Sequence, residues 1–521
     1  MKKMFVCNKV LVAKFMLSVL LFGKAFSSSA FVITGNGDYT LRGNLRTNPS
    51  ISNSGDSSKV FEHNLRLKSE LVFNERLSFY LAFSLFNNSQ NELFGQVPED
   101  AREIGDKKVQ NPFSPNYQNF SPTVQEVYVS YVTDYCLLAA GRKARHWGQG
   151  IYLNEGKQPF SRTPSLYDGL SCQILLQKPQ TISMSVGFDK IAESENLQIY
   201  GKQAYEKVDM NQYYASIKFD DTDFSSSDLK KDVGIYVASV RSDAQQDGGT
   251  GTKLWFVDTY LDFYLNSPKL TSRSEFLIAF GESGDLNIKD IGGLDHSIQK
   301  NTSSKLNTNI SFVTNLEWEI QKSGQYWGPQ KYNLGDVSRH LLLFNFAYAP
   351  GDADGYYNDQ EDSAITLSKR SDVAKAWSFN SNYNVALILF NSGNYISEDQ
   401  NIDGIFHSDK LINAQVYSLG YRYENIKTGN IEASLIYGLM NDGIPGDVKD
   451  YYSGISGINP IGFSGKDLGL ELDLNYTYFV KDELELSLSA GVLFPGSAWK
   501  TEEDKTPSNI YTIQTGATFH F

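Results

Sequence analysis

After its first thirty residues the chain has no run of about twenty uncharged apolar residues, so it offers no helix long and greasy enough to cross a bilayer. It is also poor in cysteine, with three in 521 residues, and no helix-period segment of convincing length appears. Positive charge is in deficit, with a formal net charge of −13. That balance argues against nucleic acid as a partner, because phosphate binding needs a basic footprint. If this chain enters a membrane, it must do so as a closed barrel.

The abundant features are alternation and aromatics. From Leu468 to Tyr478 the set Leu468, Leu470, Leu472, Leu474, Tyr476 and Tyr478 alternates with Gly469, Glu471, Asp473, Asn475 and Thr477. The pattern resumes after Lys481-Asp482 as Leu484, Leu486, Leu488, Ala490 and Val492, and again from Tyr511 to the terminal Phe521. A period of two places successive side chains on opposite faces of a strand. A soluble sandwich would bury the apolar face against a second sheet. A lipid-embedded barrel turns it outward and keeps the polar face around a lumen. The 31 Tyr and 32 Phe suit the aromatic girdles of the second.

The N-terminus supports that choice. Lys2, Lys3, Lys9 and Lys14 precede a short apolar run from Phe15 to Phe22, and Ser28-Ser29-Ala30 offers small residues for cleavage. Residues 1–30 are therefore expected to be a removable secretory signal, with residues 31–521 forming one barrel. Removing the signal takes away five lysines (2, 3, 9, 14 and 24) and no acid, moving the charge from −13 to −18. Of the remaining thiols, Cys136 and Cys172 read as buried and free, with a disulfide as the alternative in an oxidising envelope.

Connection lengths set the topology. Short turns are expected near 74–75, 133–134, 178–179, 267–268, 427–428 and 481–482, with longer inner connections at 221–230 and 321–338. Long polar segments fall between them at 88–122, 144–166, 190–209, 283–304, 350–410, 442–464 and 495–509. Outer-membrane barrels alternate short periplasmic turns with long outer loops. The expected fold is thus an all-β single transmembrane antiparallel barrel of about 18 strands, with 16 as the alternative and both termini periplasmic. Tyr383 to Phe390 reads locally as a strand but breaks this parity, so it is assigned to the 350–410 connection as a loop folding onto or into the barrel.

At residue level, the segment G-L-E-L-D-L-N-Y-T-Y at 469–478 with F-P-G-S-A-W at 494–499 resembles alginate-export-type outer-membrane porins. A-Y-A-P-G-D-A-D at 347–354, and G-R-K-A-R-H-W-G-Q-G at 141–150 followed by Tyr167-Asp168-Gly169, are similar to the same family. The resemblance implies a bacterial outer-membrane channel passing a polar solute or a polysaccharide, with selectivity set by lumen charges. The alternative is a non-conducting structural or adhesin-like barrel that acts through its outer loops. Partners implied are outer-membrane lipid and lipopolysaccharide, and the barrel-assembly machinery through Phe521.

Parity points Arg42, Arg46, Arg66, Lys68, Glu126, Arg142, Lys218, Glu317, Glu319, Arg422, Glu424, Glu471 and Asp473 into the lumen. Each could equally be a wall residue in a structural ion pair. Arg145, His146 and Trp147, beside Gly148 and Gly150, form a basic cluster at an outer strand end that could bind anionic sugar or lipopolysaccharide phosphate. Trp147 could instead anchor the loop in the aromatic belt. The acidic run with Asp352, Asp354 and Asp359 invites a calcium site, but its glycine spacing is not that of an EF-hand and a solvated loop is the default. No cofactor is expected. None of the histidines His63, His146, His296, His340, His407 and His520 sits in a nucleophile or metal motif, so no enzyme activity is expected.

Overall fold

The computed structural model describes residues 31–47, 57–85, 123–157, 164–176, 181–191, 210–221, 229–242, 253–266, 268–283, 304–323, 338–351, 373–374, 378–380, 382–391, 411–425, 427–442, 465–480, 483–500 and 507–521. The segment 1–30, most of the connections 88–122, 190–209, 283–304, 350–410 and 442–464, and Asp352, Asp354 and Asp359 lie outside the described residues.

Eighteen strands among the described residues make one antiparallel wall. In chain order they are β1 Val32–Thr47, β2 Ser57–Asn74, β3 Leu77–Leu85, β4 Thr123–Val132, β5 Leu137–Ala144 and β6 Leu166–Leu176. There follow β7 Thr181–Ile191, β8 Met210–Asp221, β9 Leu229–Ser242, β10 Lys253–Asn266, β11 Lys269–Ser283 and β12 Ser304–Ser323. The wall ends with β13 Ser338–Ala349, β14 Ala414–Asn425, β15 Gly429–Met440, β16 Asp467–Val480, β17 Leu484–Pro495 and β18 Ile510–His520. Each strand pairs with the next, and β18 returns to β1 through Tyr39 opposite Phe519 and Leu45 opposite Ile513. Closure leaves no sheet edge, which satisfies backbone hydrogen bonds in lipid. The count is eighteen, not the alternative sixteen. Val373–Ala374 adds a two-residue parallel pairing to β12 but no wall strand.

Side-chain hydrogen bonds to backbone build the short turns. Asn74 Oδ1 accepts from the N–H groups of Arg76 and Leu77 at 2.8 and 2.9 Å. Asn425 Oδ1 does the same for Lys427 and Thr428 at 2.8 and 3.0 Å, and Thr133 Oγ1 for Tyr135 and Cys136. These local bonds replace ladder partners over two or three residues, so the chain reverses within a few positions. The start of β1 and the end of β18 lie at the same rim, where Gly37 N–H donates to Phe521 O at 2.7 Å and Phe521 N–H to Gly37 O at 3.0 Å.

The outer face is apolar. Leu170, Val186, Leu419, Leu472, Leu474, Leu488 and Tyr511 are all exposed on it. The opposite face carries buried polar groups such as Arg46, Gln212, Asp258, Glu275 and Glu471. A closed barrel with a greasy exterior and a polar interior is the outer-membrane solution to crossing a bilayer, and the bacterial outer membrane is where this chain belongs.

Two expectations need correction. Leu468 does not face lipid with Leu470 and Leu472 but is wholly buried inside. Gly469 takes φ +107 where the β15–β16 register shifts, and this bulge inverts the phase of the residue before it. Cys136 and Cys172 are not free thiols: they form a disulfide with a Cα–Cα distance of 5.8 Å. Leu138, not Cys136, is the register partner of Cys172, so the bond runs diagonally across β5 and β6.

Candidate functional site

The lumen is occupied by two chain segments that leave the wall and meet inside it. The first, residues 145–157, follows β5. Ile151, Tyr152 and Leu153 are buried, and Tyr152 stacks on Phe256 of β10 at 4.7 Å. Tyr152 Oη donates to Gln212 Oε1 at 3.1 Å, and Gln212 Nε2 donates to Tyr236 Oη at 2.8 Å. The fully buried carboxylate of Glu275 accepts from the backbone N–H of Gln149. From the far side, Arg66 of β2 reaches Gly156 O at 2.7 Å. Gly148 has φ +52, and a Cβ there would lie 2.7 Å from the Glu275 carboxyl, so glycine is what lets the backbone approach that close.

The second segment, residues 378–391, contains the apolar stretch that breaks strand parity. Phe379, Ile388, Leu389 and Phe390 are buried within the barrel. Its backbone is held from both charge types. Glu471 accepts from the N–H groups of Ile388 and Leu389 at 2.7 and 2.9 Å, and Asp473 from that of Leu387 at 3.0 Å. Arg46 of β1 donates to Leu387 O at 2.9 Å. The two segments join where Asn380 N–H donates to Ile151 O at 2.8 Å and Asn380 Nδ2 to Ser165 Oγ at 3.1 Å. Burial pushes the phenols of Tyr152 and Tyr383 well above their ordinary value, so both remain neutral.

The expected lumen residues divide into three groups. Arg46, Arg66, Glu471 and Asp473 hold the inserted segments. Lys218, Glu317, Glu319, Arg422 and Glu424 belong to wall ion pairs. Lys218 pairs with Asp232 at 2.8 Å. Glu319 takes Lys269 and Arg339 at 2.8 Å each, Arg339 continues to Glu424 at 3.1 Å, and Arg422 meets Glu432 at 2.7 Å and Glu317 at 3.7 Å. Lys68 and Glu126 form the third group, beside a cavity, and Arg42 stands on the inner face of β1 with the buried Asn44 and Arg46. Glu126 accepts from Ala144 N–H at 3.0 Å, and Lys68 and Glu126 line a pocket of about 240 Å³ with Thr34, Asn36, Glu70 and Tyr80. Lys68 makes no ion pair among the described residues.

Arg142 is corrected. It stands opposite Asp168 and binds it through two hydrogen bonds of 2.8 and 2.7 Å. Asp168 shares the outer face of β6 with exposed Leu170, so Arg142 faces outward. Arg142 and Lys143 are adjacent on one strand and must take opposite faces. Lys143 is the inner one, 5.2 Å from the Tyr128 ring.

Arg145 and Trp147 lie in the lumen rather than at a loop tip, with exposed His146 between them. Arg145 pairs with the buried Asp189 at 2.6 Å, bonds Tyr214 Oη, and lies 4.4 Å from the Tyr214 ring. Trp147 packs against Tyr236 and Tyr260 at 5.5 and 5.1 Å. The sequence left Glu275, Asp189 and Gln212 unremarked. Their signal was a lone polar side chain on the inner face of an otherwise ordinary strand, which alternation alone does not single out.

The class defined by this wall and lumen is a closed, eighteen-stranded outer-membrane β-barrel. No family model and no curated protein matches the sequence. Among solved structures the chain is similar to OpdK of Pseudomonas aeruginosa with vanillate, at 10% identity and TM-score 0.47, over 94% of this chain and 98% of that one. It is similar to OprD of the same organism at 10% identity and TM-score 0.44, over 95% and 96%. OccAB2 of Acinetobacter baumannii gives 12% identity and TM-score 0.45, over 94% and 98%.

Proposed function

We propose that this protein is a narrowed outer-membrane channel for small polar solutes. The observation that carries the reading is the contact between Asn380 and Ile151, which joins the two inserted segments inside a barrel that eighteen strands would otherwise leave wide. A lumen so divided passes a solute, not a polymer, unless a segment moves.

The charge pattern supports the same choice over the polysaccharide conduit implied by alginate-export-type porins. A track for an anionic polymer calls for cations free of carboxylates. Here Lys269, Arg339 and Arg422 are each matched by a glutamate. The pocket around Lys68, Glu70 and Glu126 offers both signs within one small volume, which suits a solute carrying donors and acceptors together.

Planar-bilayer conductance tests the proposal. The intact barrel should conduct weakly, and a variant lacking residues 353–409 should insert and conduct more. A silent intact barrel that stays silent after the deletion would favour the structural or adhesin-like reading. A deletion variant unable to insert would show that the segment is part of the wall.

A further inference from the structure

We infer that the outer rim of β7 to β10 carries a lipid-phosphate site, built from Lys190, Arg241 and Lys253 on the face turned to the membrane. The inference is independent of what the lumen passes.

Register places these residues in one row. Lys190 stands between Asp168 and Asn211, Asn211 opposite Arg241, and Arg241 opposite Lys253. The bare cation pair at the centre of the site is therefore Arg241 and Lys253, with Lys190 shared with the Asp168 carboxylate at its edge. All three cations are exposed. Each has the parity of lipid-facing neighbours: Val186 and Phe188 for Lys190, Ile235 for Arg241, Trp255 for Lys253. They lie at the ends of their strands next to the long connections, which makes this the outer rim.

One rung toward the membrane centre runs a second row on the same face. Phe188 pairs with Tyr213, Tyr213 with Ser239, Ser239 with Trp255, and Trp255 with Phe280. Its four aromatic residues are all exposed. Aromatic rings on a barrel exterior mark the boundary between hydrocarbon and headgroup. Two residues further along a strand is about 7 Å, so the cations stand at headgroup height, where phosphates are.

The Arg241–Lys253 pair supplies the sharper argument. Two cations directly opposite on neighbouring strands, about 5 Å apart in the sheet, repel one another. Glu282 is the next residue in the row, opposite Lys253, yet no ion pair joins them among the described residues. Among the described residues Arg241 is steadied from its own strand, by Ser239 Oγ at 3.3 Å. An anion seated between Arg241 and Lys253 turns the repulsion into attraction. A phosphate on a membrane lipid fits, since guanidinium and ammonium groups both bind it and the aromatic row holds the sugar and acyl part below. On the opposite wall the comparable rim positions of β13, β14 and β18 are Tyr348, Gln415 and Tyr511, none of them a cation.

The test uses the full chain with lipopolysaccharide and with dephosphorylated lipopolysaccharide, read by native mass spectrometry of the delipidated barrel. The wild-type protein should retain the phosphorylated form and release the other. The triple variant Lys190→Gln, Arg241→Gln, Lys253→Gln should lose affinity by on the order of 100-fold, while K190R with K253R keeps it. Heat-modifiable mobility in neutral lipid and unchanged conductance show that the variant is folded, and K253Q alone serves if the triple variant is not. Equal retention by wild type and variant overturns the site. Equal retention of both lipid forms assigns the contact to sugar and overturns the phosphate reading.

Discussion

Glu471 holds Ile388 by its backbone: a carboxylate with no exposed surface accepts that N–H at 2.7 Å, and the next one, of Leu389, at 2.9 Å. The acid of a wall strand thereby does what a ladder partner does elsewhere, satisfying backbone donors of a segment that has left the wall. Arg46, across the β18–β1 closure, takes the carbonyl of Leu387. The strap is pinned at both polarities of its peptide groups.

Replacing Glu471 by Gln leaves one acceptor oxygen and introduces a donor that faces backbone N–H groups. Breaking a buried charge-assisted bond of this kind costs about 1.5–3 kcal/mol. The wall strand itself keeps its pairing, so the barrel should insert normally while single-channel records show larger or noisier currents. Arg46→Gln should act in the same direction, and the double variant should fall short of the sum because both residues hold one strap. Records identical to wild type from both single variants would refute the tether.

Parity on β16 gives a second prediction. Leu472 is 44% exposed on the lipid face, and Asn475 stands on the inner face opposite Ser489 and Glu432. Leu472→Arg should destabilise the folded barrel by about 2–4 kcal/mol, measured by urea unfolding in lipid vesicles. Asn475→Arg meets Glu432 in the lumen and should be close to neutral. Similar losses from the two would mean that the faces are misassigned.

Much of the wall was legible because a barrel in lipid enforces period two on every strand and short turns at one rim. The same logic located the strap, since Tyr383 to Phe390 could not be a strand without breaking the alternation of loops. The limits are equally physical. Leu468 misled because a bulge at Gly469 shifts the phase by one residue, and a bulge has no fixed sequence signal beyond its glycine. Arg142 misled because two basic neighbours give no hint of which faces out. Residues 145–157 read as an outer loop because what buries Ile151 to Leu153 lies on strands a hundred or more residues away in sequence, at Phe256 and Leu277.

The disulfide carries a third prediction. Cys136 and Cys172 enclose 36 residues of sequence separation, including the whole 145–157 insertion. By loop closure such a bond stabilises the folded state by about 2–4 kcal/mol. Cys136→Ser with Cys172→Ser should lower the heat-modifiability midpoint, and conductance should not change because the bond sits near the Thr133 turn, away from the strap. A lowered midpoint with altered conductance would tie the bond to the position of residues 145–157.

Gly491 of β17 supplies the last prediction, because the strap needs the space that its missing side chain leaves. A Cβ there would lie 2.6 Å from Asp473 Oδ1 and 3.4 Å from Leu387 Cβ. The backbone at Gly491 is an ordinary strand, so substitution adds crowding without backbone strain. Gly491→Val should therefore push Asp473 and Leu387 apart, and Asp473 is what receives the Leu387 N–H. Because valine suits a strand and the lumen side can yield, the barrel should still form. Conductance should rise toward that of the variant lacking residues 353–409. The two changes should not add, since a side chain that expels the strap has nothing to expel once it is gone. Additive currents would place the effect of Gly491→Val on the wall, and a further fall in current in the combined variant would mean that the valine itself narrows the path.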